Sequence, residues 1–422
     1  MNPPKQRRSL THVGGAVAAV GDPVIAATLA EALDVPVPAP APVPARAPAP
    51  DDADGPERSH VHGFHTYPAR MHPLTAARLV RGLSPARGTV LDPFCGSGTV
   101  LVEAMIAGRR AIGTDLNPLA VRLARLKTTR FDDGALDALV AEARHVAGHA
   151  DARRLQRAGA TRRYGQEDVE AFEPHVLLEL DSIRAAIASG SPGPVRAALE
   201  IVLSAILIKL SRRTSDTSGA AAPRRIAAGF PAKLFVRKTT ELTARLRELR
   251  KRLDASGENA PARVELDDAT RLRTLAASTV DAVISSPPYV ATYDYLAHHA
   301  LRLRWLDLDA RAFQSGEVGA RRRYSNLDPA AARQAWSREL IGMLAALSRV
   351  CRTGATVTFL LADSAVGGEA LRADVLLASA ARETGFAVLA RASQDRPHFH
   401  GPTASAFRRT PRAEHAIALR KG

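Results

Sequence analysis

Apolar and polar positions along the 422 residues follow two different periods, and the changes of period mark the elements. Residues 89–92, TVLD, read as a short strand closed by Asp92. A Gly96-Ser97-Gly98 turn follows, and Thr99 opens an amphipathic run that stops near Gly108. A second strand at 111–114 ends in Asp115, and 117–127 predicts a helix with Pro118 in its first turn. Strand character is then missing from 131 to 256, where runs such as LDALVAEARHVAGHA, HVLLELDSIRAAIA and PVRAALEIVLSAILIKLSRR carry helical spacing. It returns at 263–266, just before Asp267-Asp268, and at 280–285, where Pro287-Pro288 forbids continuation. A helix over 290–309, a helix at 368–384 and strands at 356–361, 386–390 and 414–419 complete the pattern. The expected fold class is α/β: a doubly wound sheet of seven strands interrupted by a helical insertion.

The N-terminal part has a different character. Asp22-Pro23 can cap a short helix running to Leu33, and 35–50 alternates proline with alanine and valine in the manner of a polyproline linker. The expected organisation is a disordered Ala/Pro-rich tail over 1–57 and one half of an α/β domain over 58–130. The helical insertion spans 131–256, and the other half of the domain 257–422.

Two carboxylates, Asp92 and Asp115, fall at the carboxyl ends of neighbouring parallel strands, where open α/β sheets bind ligands. Gly96 and Gly98 let backbone come close to a ligand, and the amides that open the helix at Thr99 can hold a carboxylate. Asp92 can accept from an amine and Asp115 from two ribose hydroxyls. A ligand with an amino acid at one end and a nucleoside at the other fits this layout, and S-adenosylmethionine is one.

The block DPFCGSGT at 92–99, together with SPPY at 286–289, resembles the amino-methyltransferases that modify exocyclic nitrogens of nucleic-acid bases. A third block, HTYPARMHP at 65–73, resembles the segment that flanks the methionine end of the cofactor in that family. The resemblance implies a seven-stranded Rossmann-like methyltransferase sheet with an antiparallel closing strand, and S-adenosyl-L-methionine as cofactor. It implies cofactor contacts from Tyr67, Pro68 and Arg70, from Asp92, Pro93, Phe94, Gly96, Gly98 and Thr99, and from Asp115 and Asn117. Of the two aspartates after the strand at 263–266, Asp268 is the expected acceptor for the adenine amino group; a helix N-cap is its other reading.

Ser286, Pro287, Pro288 and Tyr289 are the implied catalytic residues. An exocyclic amine has its lone pair delocalised into the ring. Oxygens of Ser286 and Pro287 can accept both amino hydrogens and turn that lone pair toward the methyl group, while Tyr289 stacks on the base. A base in duplex DNA must first leave the stack. The Ser-Pro-Pro-Tyr form is most similar to the DNA N4-cytosine enzymes of restriction-modification. N6 of adenine and N2 of guanine in RNA stand as alternatives, and a non-catalytic nucleic-acid-binding regulator is the reading outside enzymes.

A formal charge of +15 and a pI near 10.6 favour a polyanionic partner, DNA before RNA. An arginine-rich, alanine-rich composition would also arise from GC-rich coding, so position matters more than the total. The stretch 211–238 places Arg212, Arg213, Arg224, Arg225, Lys233, Arg237 and Lys238 against only Asp216, with Phe230 and Phe235 between them; it is the expected nucleic-acid contact. Two cysteines, Cys95 and Cys351, make neither a disulfide framework nor a zinc site, and neither follows a proline as a C5-cytosine nucleophile would. His60, His62, His65 and His72 match no common zinc spacing and have no acidic neighbours in sequence, so no metal is expected. No apolar run is long enough to span a bilayer, and a cytoplasmic protein is expected.

Overall fold

A computed structural model describes residues 14–36, 58–213, 225–398 and 401–422. In chain order the first half gives β1 (Val17–Gly21), α1 (Pro23–Leu33), a 3-10 turn (His60–Gly63), α2 (Pro73–Leu83), β2 (Thr89–Asp92), α3 (Thr99–Ile106), β3 (Arg110–Asp115) and α4 (Pro118–Thr128). The insertion follows as α5 (Asp133–Leu155), α6 (Gln166–Ala171), α7 (Pro174–Ser189), α8 (Pro194–Leu210) and α9 (Phe230–Ala255). The second half gives β4 (Ala262–Leu266), β5 (Val280–Ser285), α10 (Tyr295–Trp305), α11 (Arg311–Gly316), α12 (Arg321–Tyr324), α13 (Pro329–Val350) and β6 (Cys351–Ala362). It ends with a hairpin of β7 (Ser364–Val366) and β8 (Glu369–Leu371), α14 (Ala373–Glu383), β9 (Phe386–Asp395) and β10 (Ala413–Lys421).

The main sheet runs β1-β9-β10-β6-β5-β2-β3-β4. From β4 to β6 all pairs are parallel, and β10 lies antiparallel to both β6 and β9, so the α/β class and the antiparallel closing strand both hold. Strand alternation divides the core into two. Val90, Ile284, Leu360, Ala416 and Ala418 face one apolar cluster with α2 and α3. Their neighbours Leu91, Val283, Phe359, Leu361, Ile417 and Leu419 face another built on α13 and α14. Chain order reverses at β2, whose successor β3 lies on one side and β5 on the other, leaving a crevice at the carboxyl ends of these strands.

Two expectations change. The sheet has eight strands among the described residues, because 17–21 pairs antiparallel with β9, from Val17↔Gln394 to Gly21↔Ala390. The segment 17–33 is therefore not part of a disordered tail. Asp22 caps α1 through Oδ1, and Leu29, Ala32 and Leu33 are buried against α2, whose Thr75 hydroxyl donates to Ala32 O at 2.7 Å. Burying two leucines at roughly 1.5–3 kcal/mol each outweighs what an Ala/Val-rich composition suggests about order. The polyproline stretch 37–50 lies outside the described residues. Second, the helix expected at 368–384 starts only at Ala373, since Gly367 takes φ +58° and turns the chain into the β7–β8 hairpin.

The insertion is helical as its spacing indicates, and it is fused to the first half rather than standing apart. Leu136, Leu139 and Val146 of α5 and Leu203 and Leu207 of α8 share one core with Leu101 of α3 and Leu123 of α4. Among the described residues no helix is long and apolar enough to cross a membrane.

Candidate active site

The crevice at the ends of β2, β3 and β5 is a cleft with about 820 Å³ between its walls. It is lined by Tyr67, Arg70, Asp92, Pro93, Phe94, Gly96, Thr99, Asp115, Asn117, Asp268, Ser286 and Pro288. Five separate segments of the chain thus converge where the resemblance places a cofactor.

Each aspartate is tied to the loop it serves. Asp92 Oδ1 accepts from Ser285 Oγ at 2.6 Å and from Phe94 N at 3.2 Å. Burial pushes its carboxyl up to about 7, against those hydrogen bonds. Asp115 Oδ2 accepts from Gly96 N at 2.9 Å and Oδ1 from Asn117 N at 2.8 Å, so it holds the glycine loop in place as well as lining the cleft. Burial raises it to about 6. Asp268 accepts from the Thr270 amide and hydroxyl at 2.9 and 2.7 Å, so it is a turn cap and a cleft residue at once. Asp267 instead accepts from Thr274 N and Oγ1, both at 2.7 Å, and does not line the cleft.

The glycine loop splits into two roles. Gly96 (φ +49°) faces the cleft, and a Cβ there would sit 3.0 Å from the Tyr67 ring. Gly98 (φ +83°) does not line the cleft: its missing Cβ faces Ala124 Cα at 3.1 Å, so it lets α3 approach α4. Pro68 and Pro287 line neither this cleft nor its neighbour, and Pro287 is buried. Arg70 lines both clefts and donates to His62 O, which sets its guanidinium at their boundary. Tyr67 stacks on His299 with ring centroids 5.0 Å apart.

Several wall residues carry no signal in the sequence pattern. Phe313, Glu317 and Val318 close one side of the cleft beside Tyr295. Glu317 is 3% exposed and its oxygens accept from Tyr295 N at 2.6 Å and from Arg322, which accounts for a buried carboxylate there.

Within the loop, Ser97 Oγ and Thr99 Oγ1 are buried without a hydrogen-bond partner. Orphaned hydroxyls at a helix N-terminus, beside two carboxylates, fit a zwitterionic amino-acid group, with donors for its carboxylate and acceptors for its amine. S-adenosylmethionine fits this donor set.

A second cleft adjoins the first. Ser286 lies on the wall of both, and the second is lined also by Arg58, His62, His65, Tyr289, Tyr293, Arg396 and Glu414. The histidines here have structural tasks. His72 Nδ1 accepts from Leu74 N and caps α2, and His65 lies between Thr66 O at 2.8 Å and Ser204 Oγ at 3.0 Å. His62 Nε2 lies 2.8 Å from Glu103 Oε1, an acidic partner that α3 supplies from 41 residues away. His60, His62 and Glu103 bring ligand atoms within 4.8 Å of one another, but they lie beside buried Lys127 and near Arg70 and Arg252. A site with one carboxylate and three basic neighbours repels a divalent cation. Burial, then positive neighbours, push His62 well down and His60 down to about 3.

The basic stretch is only partly available to a ligand. Arg212 is paired with Glu173 at 3.1 Å, and Lys238 is buried and paired with Glu241, so these two serve the helical layer rather than a phosphate. Arg224 lies outside the described residues. Arg213, Arg225, Lys233 and Arg237 are left as candidates.

The family model N6_N4_Mtase, described as DNA methylase, matches residues 51–126. The Type II methyltransferase M.MvaI of Kocuria varians is 36% identical over 85 residues, 19% of this chain and 19% of that protein. The Type II methyltransferase M.MjaII of Methanocaldococcus jannaschii is 34% identical over 73 residues, 17% of this chain and 14% of that protein. The matched stretch spans less than a fifth of the length of these curated relatives. Among solved structures, the rRNA methyltransferase aviRa from Streptomyces viridochromogenes aligns over 85% of this chain and 88% of its own, at 14% identity and a TM-score of 0.33. Through the matched segment, which holds the glycine loop, Asp92 and Asp115, this chain is similar to the DNA amino-methyltransferases.

Proposed function

We propose that the protein transfers a methyl group from S-adenosylmethionine to an exocyclic amino group of a DNA base, N4 of cytosine by preference. The observation that carries this reading is the position of Ser286 on the wall common to two clefts, with Asp92, Asp115 and the glycine loop on one side and Tyr289 on the other. Bound in the first cleft, adenosylmethionine supplies an already activated methyl group. Asp92 accepts from its amine, Ser97 and Thr99 donate to its carboxylate, and Asp115 meets the ribose hydroxyls.

In the second cleft Tyr289 stacks on an extruded base. Ser286 accepts hydrogen bonds from the amino group, which localises the nitrogen lone pair on the line of transfer, while Pro287, buried behind both walls, holds the Ser286 backbone rigid. Cytosine carries ring acceptors beside its amine, and Arg58 and Arg70 bring donors to the wall that Ser286 shares. DNA is reached through the cationic surface, with Arg213, Arg225, Lys233 and Arg237 among its phosphate contacts.

The decisive experiment incubates the protein with tritiated adenosylmethionine and DNA or RNA and identifies the labelled nucleoside by mass spectrometry. Label in N4-methyl-2′-deoxycytidine from DNA is expected. Label in N6-methyladenosine would move the target base, label only in RNA would move the substrate, and cofactor binding without label would leave a regulator.

A further inference from the structure

The wall of the second cleft contains a chain of hydrogen bonds that the proposed chemistry does not itself use. Tyr289 Oη donates to Glu414 Oε1 at 2.7 Å. The other oxygen, Oε2, accepts from Arg396 Nε at 2.9 Å and pairs with Nη2 at 2.8 Å. The guanidinium side is 3% exposed and the carboxylate 17%, so the pair is largely shielded from water. Burial and Glu414 hold the Tyr289 phenol well above its ordinary range, so it remains a donor.

Three strand ends build this chain. Glu414 stands near the start of β10 and Arg396 follows the last residue of β9, with its amide donating to Arg412 O at 2.8 Å. The N-terminal segment ahead of β1 covers the guanidinium: a Cβ on Gly14 would lie 2.8 Å from Arg396 Nη1. Gln394 Nε2 donates to Gly15 O at 2.8 Å and secures that cover. The segment that leads into the eighth strand thus lies against the Arg396 side of the second cleft.

An anchor at the far end of a tyrosine ring fixes χ1 and the direction of the ring axis, and the preference of a phenol O–H for the ring plane biases χ2 as well. An ion pair sheltered from water is a stiffer anchor than a lone acceptor, since removing one partner leaves the other charge uncompensated. We propose that Arg396 and Glu414 are positioning residues for methyl transfer: Arg396 fixes Glu414, and Glu414 fixes the Tyr289 ring by its hydroxyl before a base arrives. This rests on the reading of Tyr289 as the base-stacking residue.

The test is a double-mutant cycle in the full chain, with fluorine spectra as a second measurement. Tyr289→Phe keeps the ring and removes the anchor, and should lower kcat about tenfold, with KM for adenosylmethionine within about twofold of the parent. Glu414→Ala should match it, Glu414→Gln should recover most of the loss because an amide oxygen still accepts, and the double variant should be no worse than either single. Losses that multiply, or an unchanged kcat in Tyr289→Phe, would overturn the proposal. Should Glu414→Ala fail to fold, Tyr289→Phe and Glu414→Gln carry the same decision.

The chain has six tyrosines, so fluorotyrosine labelling gives an assignable spectrum, with the Tyr289 signal identified by its loss in Tyr289→Phe. Replacing Glu414 should shift or broaden that signal above the others. If the parent transfers no methyl to DNA the functional reading fails, and the spectra alone then judge the relay; an unmoved Tyr289 signal sinks it.

Discussion

The two clefts that meet at Ser286 are built in opposite ways. The first has a floor of strand ends and the loops that leave them, Asp92 to Thr99, Asp115 to Asn117 and Asp268 after β4, with Tyr67, Arg70, Phe313 and Glu317 closing its sides. The second draws on Leu33 of α1, the histidine-rich segment before α2, Tyr289 and Tyr293 after β5, Leu360 of β6, Arg396 and Glu414. A cleft made at strand ends inherits its geometry from the sheet. A cleft made from loops depends on contacts between parts of the chain hundreds of residues apart.

The sharpest test of this contrast is separability. In the second cleft, Tyr289→Ala is expected to reduce turnover by about 100-fold while adenosylmethionine affinity, measured by calorimetry, stays near the parent value. Equal loss of both would merge the two clefts into one unit. In the first, Asp92→Ala removes a buried acceptor for a cationic group and orphans the Ser285 hydroxyl. Weaker cofactor binding by roughly 1.5–3 kcal/mol, about 10- to 150-fold in Kd, is expected from calorimetry.

The same aspartate predicts two opposite pH trends. Its folded carboxyl stands at about 7, above the ordinary value, so the unliganded fold binds this proton more tightly than the unfolded chain does. That contribution is complete below the ordinary carboxyl range and is lost as pH rises through about 7. Thermal melting of the unliganded protein should therefore show this loss between about pH 4 and 7, relative to Asp92→Asn. A cationic amine needs the ionised form, so Kd should tighten about tenfold from pH 6 to 8, and the trend should vanish in Asp92→Asn. A flat affinity profile would place the amine elsewhere.

Gly98 distinguishes scaffold from ligand contact within one loop. Gly98→Ala introduces a side chain at φ +83° against Ala124 and should cost about 1–3 kcal/mol of stability in denaturant melts. Cofactor affinity below the transition should be unchanged, whereas the resemblance alone predicts a binding defect. The smallest effect is expected on the surface. Neutralising Arg213, Arg225, Lys233 and Arg237 together should flatten the salt dependence of DNA binding by up to about one unit of slope per lost phosphate contact. Arg212→Ala should act on melting instead, through Glu173. An unchanged slope would move recognition to the arginines of α12 or to those after the 3-10 turn Gly401–Phe407.

Much of the first cleft was legible because its signals are local. A strand that must stop, a turn that needs glycine and a helix that needs a cap occur within a few residues, and backbone sterics enforce them wherever the chain folds. The seven expected strands and the helical insertion were readable for the same reason, since periodicity is a property of neighbours. That Asp268 lines the cleft while Asp267 turns to Thr274 was not legible in the sequence, since neither aspartate differs from the other in its local pattern.

The amino-acid order by itself thus determined the α/β class, the glycine loop with Asp92 and Asp115, and the rigid Ser286–Tyr289 turn, each through short-range sterics and hydrogen bonding. Tertiary structure decided the rest. It recruited 17–33 from an apparent tail into an eighth strand and a packed helix, because α2 and the β9 edge offered apolar surface and unpaired backbone that only the assembled sheet presents. It paired Arg212 with Glu173 and buried Lys238 beside Glu241. It also joined Tyr289, Arg396 and Glu414, whose encounter depends on the antiparallel register of β9 and β10 and on no pattern within any one segment.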